Sequence, residues 1–411
     1  MKSLRIWSLL LLVALLLALP TFMSTSLVNA AIQMLIAALF ASAFNVLAGQ
    51  GGMLSFGHAA YFGIGTFATI HAMNALGGTG LFPAPLLPLV GAFAGCLLGV
   101  AAGWFSTQRS GVYFSMITLA LAELLHSLAP HLKDFFGGEG GVSAMRMPAW
   151  GIQFATAVDV YYLTLAWVLI SLGLLYFLTR TPLGRLCQGL RENSHRLRFM
   201  GYNVHALRLM VFTVSATFSG IAGALLALNN EAANYVIFDM NLSAQVVLNS
   251  YIGGISAFFG PALGAAVMTF FGYAVSDMTR TWLLYQGVIF ILVMMFMPAG
   301  LFSIATWWSG NRGKHGKATL LRVLATWIAG CLIGAAGFVF LVELLASVLA
   351  QDYQALLVDG VDWPAVALFG QQWLPGAVVT WLSPSVLLVA GVTLVLFGSR
   401  KWQSLREEKA V

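Results

Sequence analysis

Apolar residues run along this chain in long blocks, without the regular polar positions that a half-buried strand or a surface helix would insert. A bilayer-spanning helix needs roughly 20 mostly apolar residues. Blocks of that kind lie near 6–23, 28–48, 52–76, 85–106, 111–130, 160–178, 209–229, 241–258, 260–278, 282–302, 323–349 and 377–398. They predict an all-α fold, a polytopic transmembrane helical bundle of about 12 spans. A membrane β-barrel is excluded, because its strands alternate apolar and polar positions about every second residue. In the fourth block Gly91, Gly95, Gly99 and Gly103 recur every four residues, cutting a smooth groove of the kind that lets helices pack closely in lipid.

Composition supports the pattern. Of 411 residues 60% are hydrophobic and 8% charged, about a third of the charge of a soluble domain. The placement of the charge then orients the chain. With the N-terminus in the cytoplasm, 17 of the 20 Lys and Arg residues fall on the inner side, leaving Lys133, Arg146 and Arg280 outside. Asp134, Glu139, Asp159, Asp239, Asp277, Asp352, Asp359 and Asp362 collect in the outer loops. This is the positive-inside asymmetry, and it predicts both termini cytoplasmic. The net charge of +6 reflects orientation, so no nucleic-acid partner is expected. The N-terminus, with Lys2, Arg5 and a leucine-rich run before Val28-Asn29-Ala30, resembles a secretory signal. Its apolar stretch exceeds the usual signal core of about 7–15 residues, so a retained first span is expected. Cys96, Cys187 and Cys331 show no paired spacing, and neither a disulfide framework nor a metal site nor another cofactor is expected.

Two stretches break the helical pattern: Gly49-Gln50-Gly51-Gly52-Met53-Leu54-Ser55-Phe56-Gly57-His58 and Gly253-Gly254-Ile255-Ser256-Ala257-Phe258-Phe259-Gly260-Pro261. Irregular backbone at membrane depth is tolerated only where protein buries it or water reaches it. Paired interruptions in two halves of a chain point to a transport path. Five-span halves of opposite direction would give such a pair, and two packing kinks would give the same sequence. Intramembrane ionisable groups are few: His58, His71, Glu123, His126 and Glu343. Glu123 stands 14 residues beyond Arg109, about 21 Å along a helix, with His126 on the same face. The pair either satisfies itself or serves a solute or gate.

The segment from Arg180 to Arg208 predicts a short amphipathic helix at the inner surface. Thr181 is a plausible N-cap, Pro182 fits the first turn and Gly201 a left-handed end. Its arginines suit either anionic lipid or a soluble motor. No motor is encoded here: Gly313-Lys314 and Gly316-Lys317 lack the glycine spacing and the Ser or Thr of a phosphate-binding loop.

Ordered strings across residues 28 to 302 resemble the LivM-type permease of branched-chain amino-acid ABC importers. They are Asn45 to Gly49 with Ser55 to Ala60, Arg109-x-Gly111-x-Tyr113-Phe114 with Thr118-Leu119-Ala120, and Gly137-Gly138 with Gly141. They continue with Pro182-Leu183-Gly184-Arg185, Arg191-Glu192-Asn193 and Gly201, then Gly253-Gly254 with Gly260-Pro261 and Gly264, and finally Pro298-x-Gly300-Leu301. Ser256, Leu197 and Ala299 depart from the family's usual glycine, alanine and basic residue. The resemblance implies a permease domain over 1–302 and an extension over 303–411 with two further spans. It implies a bacterial inner-membrane protein that is not itself an enzyme, with ATP hydrolysed on a separate subunit. Partners would be a second permease subunit, two cytoplasmic ATPase subunits, an extracytoplasmic solute-binding protein and membrane lipid. Asn45, Ser55, His58, Glu123, Gly253, Gly254 and Ser256 become candidates for the translocation path. Pro182, Gly184, Arg185, Arg191, Glu192, Asn193 and Gly201 become candidates for the ATPase-coupling loop. An ion-gradient-driven secondary transporter would need more intramembrane carboxylates. A channel lacks a selectivity ring. An intramembrane serine enzyme lacks its motif, because Thr217 precedes Ser219-Gly220 where a glycine is required. Among solutes, leucine-like amino acids lead, ahead of urea, short amides and small organic acids.

Overall fold

The computed structural model describes residues 2–77, 83–148, 153–297, 299–311, 317–358 and 363–407. Pro298, the basic-loop residues Gly313, Lys314 and Gly316, and the acidic Asp359 and Asp362 lie outside the described residues. The chain is an all-α bundle. Its helices are α1 (Lys2–Phe22), α2 (Thr25–Asn45), α3 (His58–Leu76), α4 (Pro88–Ser106), α5 (Val112–Leu128), α6 (Ala157–Arg180), α7 (Pro182–Phe199) and α8 (Val204–Asn230). There follow α9 (Met240–Gly253), α10 (Gly260–Ser276), α11 (Trp282–Phe296), α12 (Phe302–Asn311), α13 (Lys317–Val348), α14 (Gln351–Val358) and α15 (Val378–Glu407). Two short antiparallel ribbons join β1 (Val142–Ser143) to β2 (Ala232–Ala233) and β3 (Val366–Leu368) to β4 (Gln371–Trp373).

A helix occupies each of the twelve expected blocks, but the expectation of twelve crossings is only partly met. Among the described residues six helical segments are long and apolar enough to cross a membrane, and a seventh counts if Val112–Leu128 and Lys133–Gly140, bent by 92°, are taken together. Four of the other helices, α3, α9, α10 and α11, are shorter or more polar. At about 1.5 Å per residue, the 14, 17 and 15 residues of α9, α10 and α11 do not reach the roughly 30 Å of hydrocarbon. α3 carries His58, Thr66, Thr69, His71 and Asn74, which dilute its hydropathy. The coarser conclusion stands: this is a multi-pass helical membrane protein.

The chain forms two compact units, one of Met1–Ala274 with Phe290–Ser303 and one of Val275–Ile289 with Ile304–Val411. In the first, the glycine stripe of α4 lies on α8. A Cβ at Gly91 would sit 2.5 Å from the Gly220 carbonyl, at Gly95 2.5 Å from the Ala216 carbonyl, and at Gly99 2.6 Å from the Ala216 side chain. Backbone thus meets backbone, which is how helices associate where lipid supplies no hydrophobic incentive. α1 is tied in by a different device. Pro20 has no N–H, so the Leu16 carbonyl loses its helical partner, and the buried Tyr161 hydroxyl donates to it at 2.7 Å. Tyr162 donates to the next carbonyl, Leu17, at 3.1 Å.

Capping fixes the ends of the loops. Thr156 and Asp159 form a reciprocal capping box at the start of α6, satisfying two orphan amides at once. In the second unit α13 and α15 run antiparallel, with Gly334 against Gly391 and Gly337 against Pro384 and Leu388. Phe369 and Gly370, both at positive φ, make the two-residue turn between β3 and β4 that matches strand twist. Glu343 on α13 accepts hydrogen bonds from Thr281 at 2.8 Å, Tyr285 at 2.6 Å and Thr279.

Replacing Gly95 with alanine forces a methyl into the Ala216 carbonyl and is expected to cost about 1–3 kcal/mol, the usual range for overpacking. Gly173→Ala, in a helix position with open space around it, should be neutral or stabilising. Thermal unfolding of the detergent-purified protein compares the two, and equal midpoints would refute the packing account.

Candidate functional site

The first glycine-rich stretch is a true break. α2 passes into a π-helical turn, Val46–Gln50, a rare geometry that recurs at functional sites. Gly51, Gly52 and Met53 donate back to Val46, Ala48 and Leu47 at 3.1, 3.2 and 3.1 Å, and α3 begins only at His58. Between them the backbone has no helical partners, so side chains supply them. Ser115 donates to the Leu54 carbonyl at 2.5 Å, Thr118 accepts from the Phe56 amide at 3.3 Å, and Ser55 accepts from the Gly57 amide at 3.3 Å. Ser243 of α9 accepts from the Ala59 amide at 2.9 Å, serving the first turn of α3.

His58 is sealed inside, 1% exposed, within 5.1 Å of the Phe44 ring centroid and 5.8 Å of Tyr61's. Its Nε2 lies 2.8 Å from the Ser215 hydroxyl, which itself lies 2.6 Å from the Ala43 carbonyl. Because the serine proton goes to Ala43, Nε2 must be the donor to Ser215. His58 therefore braces α2, α3 and α8 together in this conformation. Ser215 was not legible as a functional residue, since a lone serine in an apolar block looks like any other.

The second stretch breaks where expected but earlier: α9 ends at Gly253, and Gly254 adopts φ +107°. The backbone here is packed on backbone. A Cβ at Gly253 would lie 2.0 Å from the Gly260 carbonyl, and one at Gly254 would lie 2.3 Å from the Ala299 carbonyl. The Leu301 amide donates to Ile252 at 2.8 Å and holds the crossing.

The two breaks meet. Asn45 Nδ2 donates to the Ala257 carbonyl at 3.4 Å, and Gly49 faces the Ile255 carbonyl so closely that a Cβ would sit 2.5 Å from it. Asn45 Oδ1 and Asn249 Oδ1 are both buried without a hydrogen-bond partner among the described residues. Asn249 stands four residues before Gly253, as Asn45 stands four before Gly49. That shared spacing was readable in the sequence and was missed. Ser256 is exposed at the tip of the second break. Glu123, half-buried on α5, is not brought to this place and forms no ion pair with His126. The ion pair found among the described residues is Arg146 with Glu231.

α7 follows its predicted start, with Thr181 accepting from the Gly184 amide and Pro182 in the first turn. A Cβ at Gly184 would collide with the Leu178 carbonyl at 2.5 Å, so α6 turns into α7 without a spacer. Gly184, Cys187, Leu190 and Leu197 face inward, while Arg185, Glu192 and Asn193 are exposed. Asn193 breaks the helix at φ −159°, ψ 98°, and its Oδ1 accepts from the His195 and Arg196 amides at 3.0 and 3.1 Å. It thus caps a second short helix that Gly201, at φ +86°, closes. Arg191 Nη1 donates to the Gly49 carbonyl at 2.6 Å, and Gln188 reaches Gln50 at 3.4 Å. Gly52, at φ +68°, lies under the Arg191 stem, where a Cβ would be 2.8 Å from its Cγ. A surface helix is therefore fastened to the π turn by a charge-assisted bond, worth roughly 1.5–3 kcal/mol when shielded and less here because Arg191 is largely exposed.

A multi-pass helical bundle with two apposed broken helices, one of them bonded to an amphipathic surface helix, has the anatomy of a membrane permease subunit. The chain belongs to the family of branched-chain amino acid transport system permease components, whose sequence profile matches residues 26–298. It is a transport component and not an enzyme. The permease protein LivM of Salmonella typhimurium is 28% identical over 308 residues, 69% of this chain and 71% of that protein. LivM of Escherichia coli is 27% identical over the same shares. The xylose transport permease XylH of Escherichia coli is 24% identical over 52% of this chain and 70% of its own. No solved structure matches.

Cys187, on the buried side of α7, reports on this arrangement. Burial is the main reason its thiol pKa is pushed up to about 11, so near neutral pH the reactive thiolate is scarce. In a Cys96→Ser, Cys331→Ser background, maleimide labelling should be slow near neutral pH, rise as pH approaches 11, and accelerate near neutral pH when α7 is pulled outward. Rapid labelling of the resting protein near neutral pH would contradict the buried placement.

Proposed function

We propose that this chain is one of two membrane subunits of an ATP-binding-cassette importer that carries branched-chain amino acids or similar small polar solutes across a bacterial inner membrane. Both termini lie in the cytoplasm, and all twelve helices in the apolar blocks traverse or re-enter the bilayer. Residues 1–302 form the permease domain and 303–411 an extension with two further spans. The observation that carries the reading is the hydrogen bond from Arg191 to the Gly49 carbonyl. It joins the helix offered to the cytoplasm to the break offered to the solute.

A second permease subunit completes the path, two ATPase subunits dock on α7, and an extracytoplasmic binding protein delivers the solute. The exposed Arg185, Glu192 and Asn193 are the handles for the ATPase. Pro182 and Gly184 fix the angle at which α7 leaves α6, and Gly201 ends it. Displacement of α7 draws on Gly49 and Gln50, and through Asn45 on the Ala257 carbonyl, so both breaks respond together. Gly253 and Gly254 let the second break rearrange, since backbone without a Cβ reaches angles closed to other residues. Asn45, Ser55, His58 and Ser256 complete the set beside the two breaks, while Glu123, on α5 away from them, has no part in it. Nucleotide binding biases two packings of similar energy. An amino acid is favoured over a sugar as solute because the LivM proteins of Salmonella typhimurium and Escherichia coli align with 69% of the chain and the xylose permease with 52%.

Reconstituted with its partner subunits, the Arg191→Ala, Glu192→Ala double variant should insert normally but lose most of the acceleration of ATP turnover by leucine-loaded binding protein. Acceleration equal to wild type would remove these residues from coupling.

A further inference from the structure

At the end of the first unit where α3 and α8 terminate, Met73, Asn74, Ser143, Met145, Met147 and Glu231 line a cavity of about 480 Å³. We propose that this cavity is a low-affinity receiving site for an amino acid with an apolar side chain, on the extracytoplasmic face. Glu231, which lines the cavity and is oriented by Arg146 behind it, takes the ammonium, and the methionines take the side chain. The inference rests on the proposed orientation and solute class.

Glu231 is built for a task beyond capping. It follows the last residue of α8 at φ +53°, a left-handed position where glycine is the easy choice. Its backbone carbonyl accepts from the Ala144 amide at 3.0 Å, and its Oε1 accepts from the Arg146 amide at 2.8 Å and from Arg146 Nε at 3.0 Å. The carboxylate is thereby aimed, with its side chain still 36% exposed. Oε2 is left uncommitted among the described residues, as the one negative contact offered to the cavity. The β1–β2 bridge joins the segments that carry Arg146 and Glu231.

The field at this end has a sign. Gly77 and Glu231 are the residues just past the C-termini of α3 and α8, and both line the cavity. Helix C-termini carry partial negative charge, so two of them favour an ammonium beside Glu231. Asn74 is fixed by its bond to the Ser143 carbonyl at 3.0 Å. Met73, Met145 and Met147 supply flexible, polarisable walls that adapt to branched side chains. Met145 is 76% exposed, which leaves it free to fold over an occupant.

The test uses the assembled permease–ATPase complex in nanodiscs without binding protein, followed by saturation-transfer NMR. Leucine should bind saturably, with an affinity on the order of 1 mM. 3-Methylbutylamine, which keeps the ammonium, should compete, whereas 4-methylpentanoate, which lacks it, should not. Glu231→Gln and Glu231→Gly should each weaken leucine binding about tenfold or more. The glycine variant suits the left-handed backbone, and the glutamine variant keeps an oxygen to accept from the Arg146 amide, so loss of binding in both is charged to the missing carboxylate. Absence of saturable binding in the wild type, or variants that bind as the wild type does, overturns the proposal. So would variants that only raise the amount of loaded binding protein needed to stimulate ATP turnover, which would make the cavity a docking face for that protein. ATP-driven uptake of leucine by the complete system separates the two readings: uptake without cavity binding sinks the receiving site alone, and no uptake sinks the transport reading.

Discussion

A peptide group in hydrocarbon must find a hydrogen-bond partner, because water is absent and each unsatisfied group costs several kcal/mol. The two broken helices depend on that constraint. Where the π turn ends and before α3 begins, Ser115, Thr118, Ser55 and Ser243 stand in for the missing helical bonds. Arg191 serves the Gly49 carbonyl at the edge of the same break. The break is stable because its partners come from α5, α7 and α9, and for the same reason those elements must move when it moves.

Glycine provides the second half of the design. Along α4 and α8 the absence of a Cβ fixes a rigid contact, while at Gly52 and Gly254 it permits left-handed backbone that other residues enter only with strain. The first use makes a frame, and the second places conformational freedom inside each of the two breaks. Asn45 and Asn249, each with a buried amide oxygen left unpaired among the described residues, sit four residues ahead of Gly49 and Gly253. Unsatisfied buried groups are where an alternative packing can be reached at small net cost, since the resting one is not optimal.

Much of this was legible in the sequence, and the remainder has identifiable causes. Apolar blocks located the twelve principal helices because periodic hydrophobicity is a local signal. Thr181-Pro182 announced α7, and the spacing of Gly91 to Gly103 announced a close helix contact along α4 without saying that α8 makes it. Block length did not give helix length, since a block counts the flanking turns that α9 and α11 do not keep helical. The bend of α7 at Asn193 was hidden because an asparagine inside a charged run resembles a surface residue. The bonds from Arg191 to Gly49, 142 residues apart, and from His58 to Ser215, 157 apart, are tertiary and leave no local trace. The resemblance to a permease family covered the residues of both breaks, yet it did not say that the breaks touch.

The central claim is that Arg191 carries motion from the surface helix into the first break, and hydrogen–deuterium exchange over residues 46–57 of the assembled complex tests it most directly. With nucleotide trapped on the ATPases, the wild-type amides should change their exchange rate relative to the nucleotide-free complex, and the same comparison in Arg191→Ala should show little or no change. An identical response in both proteins would contradict the account.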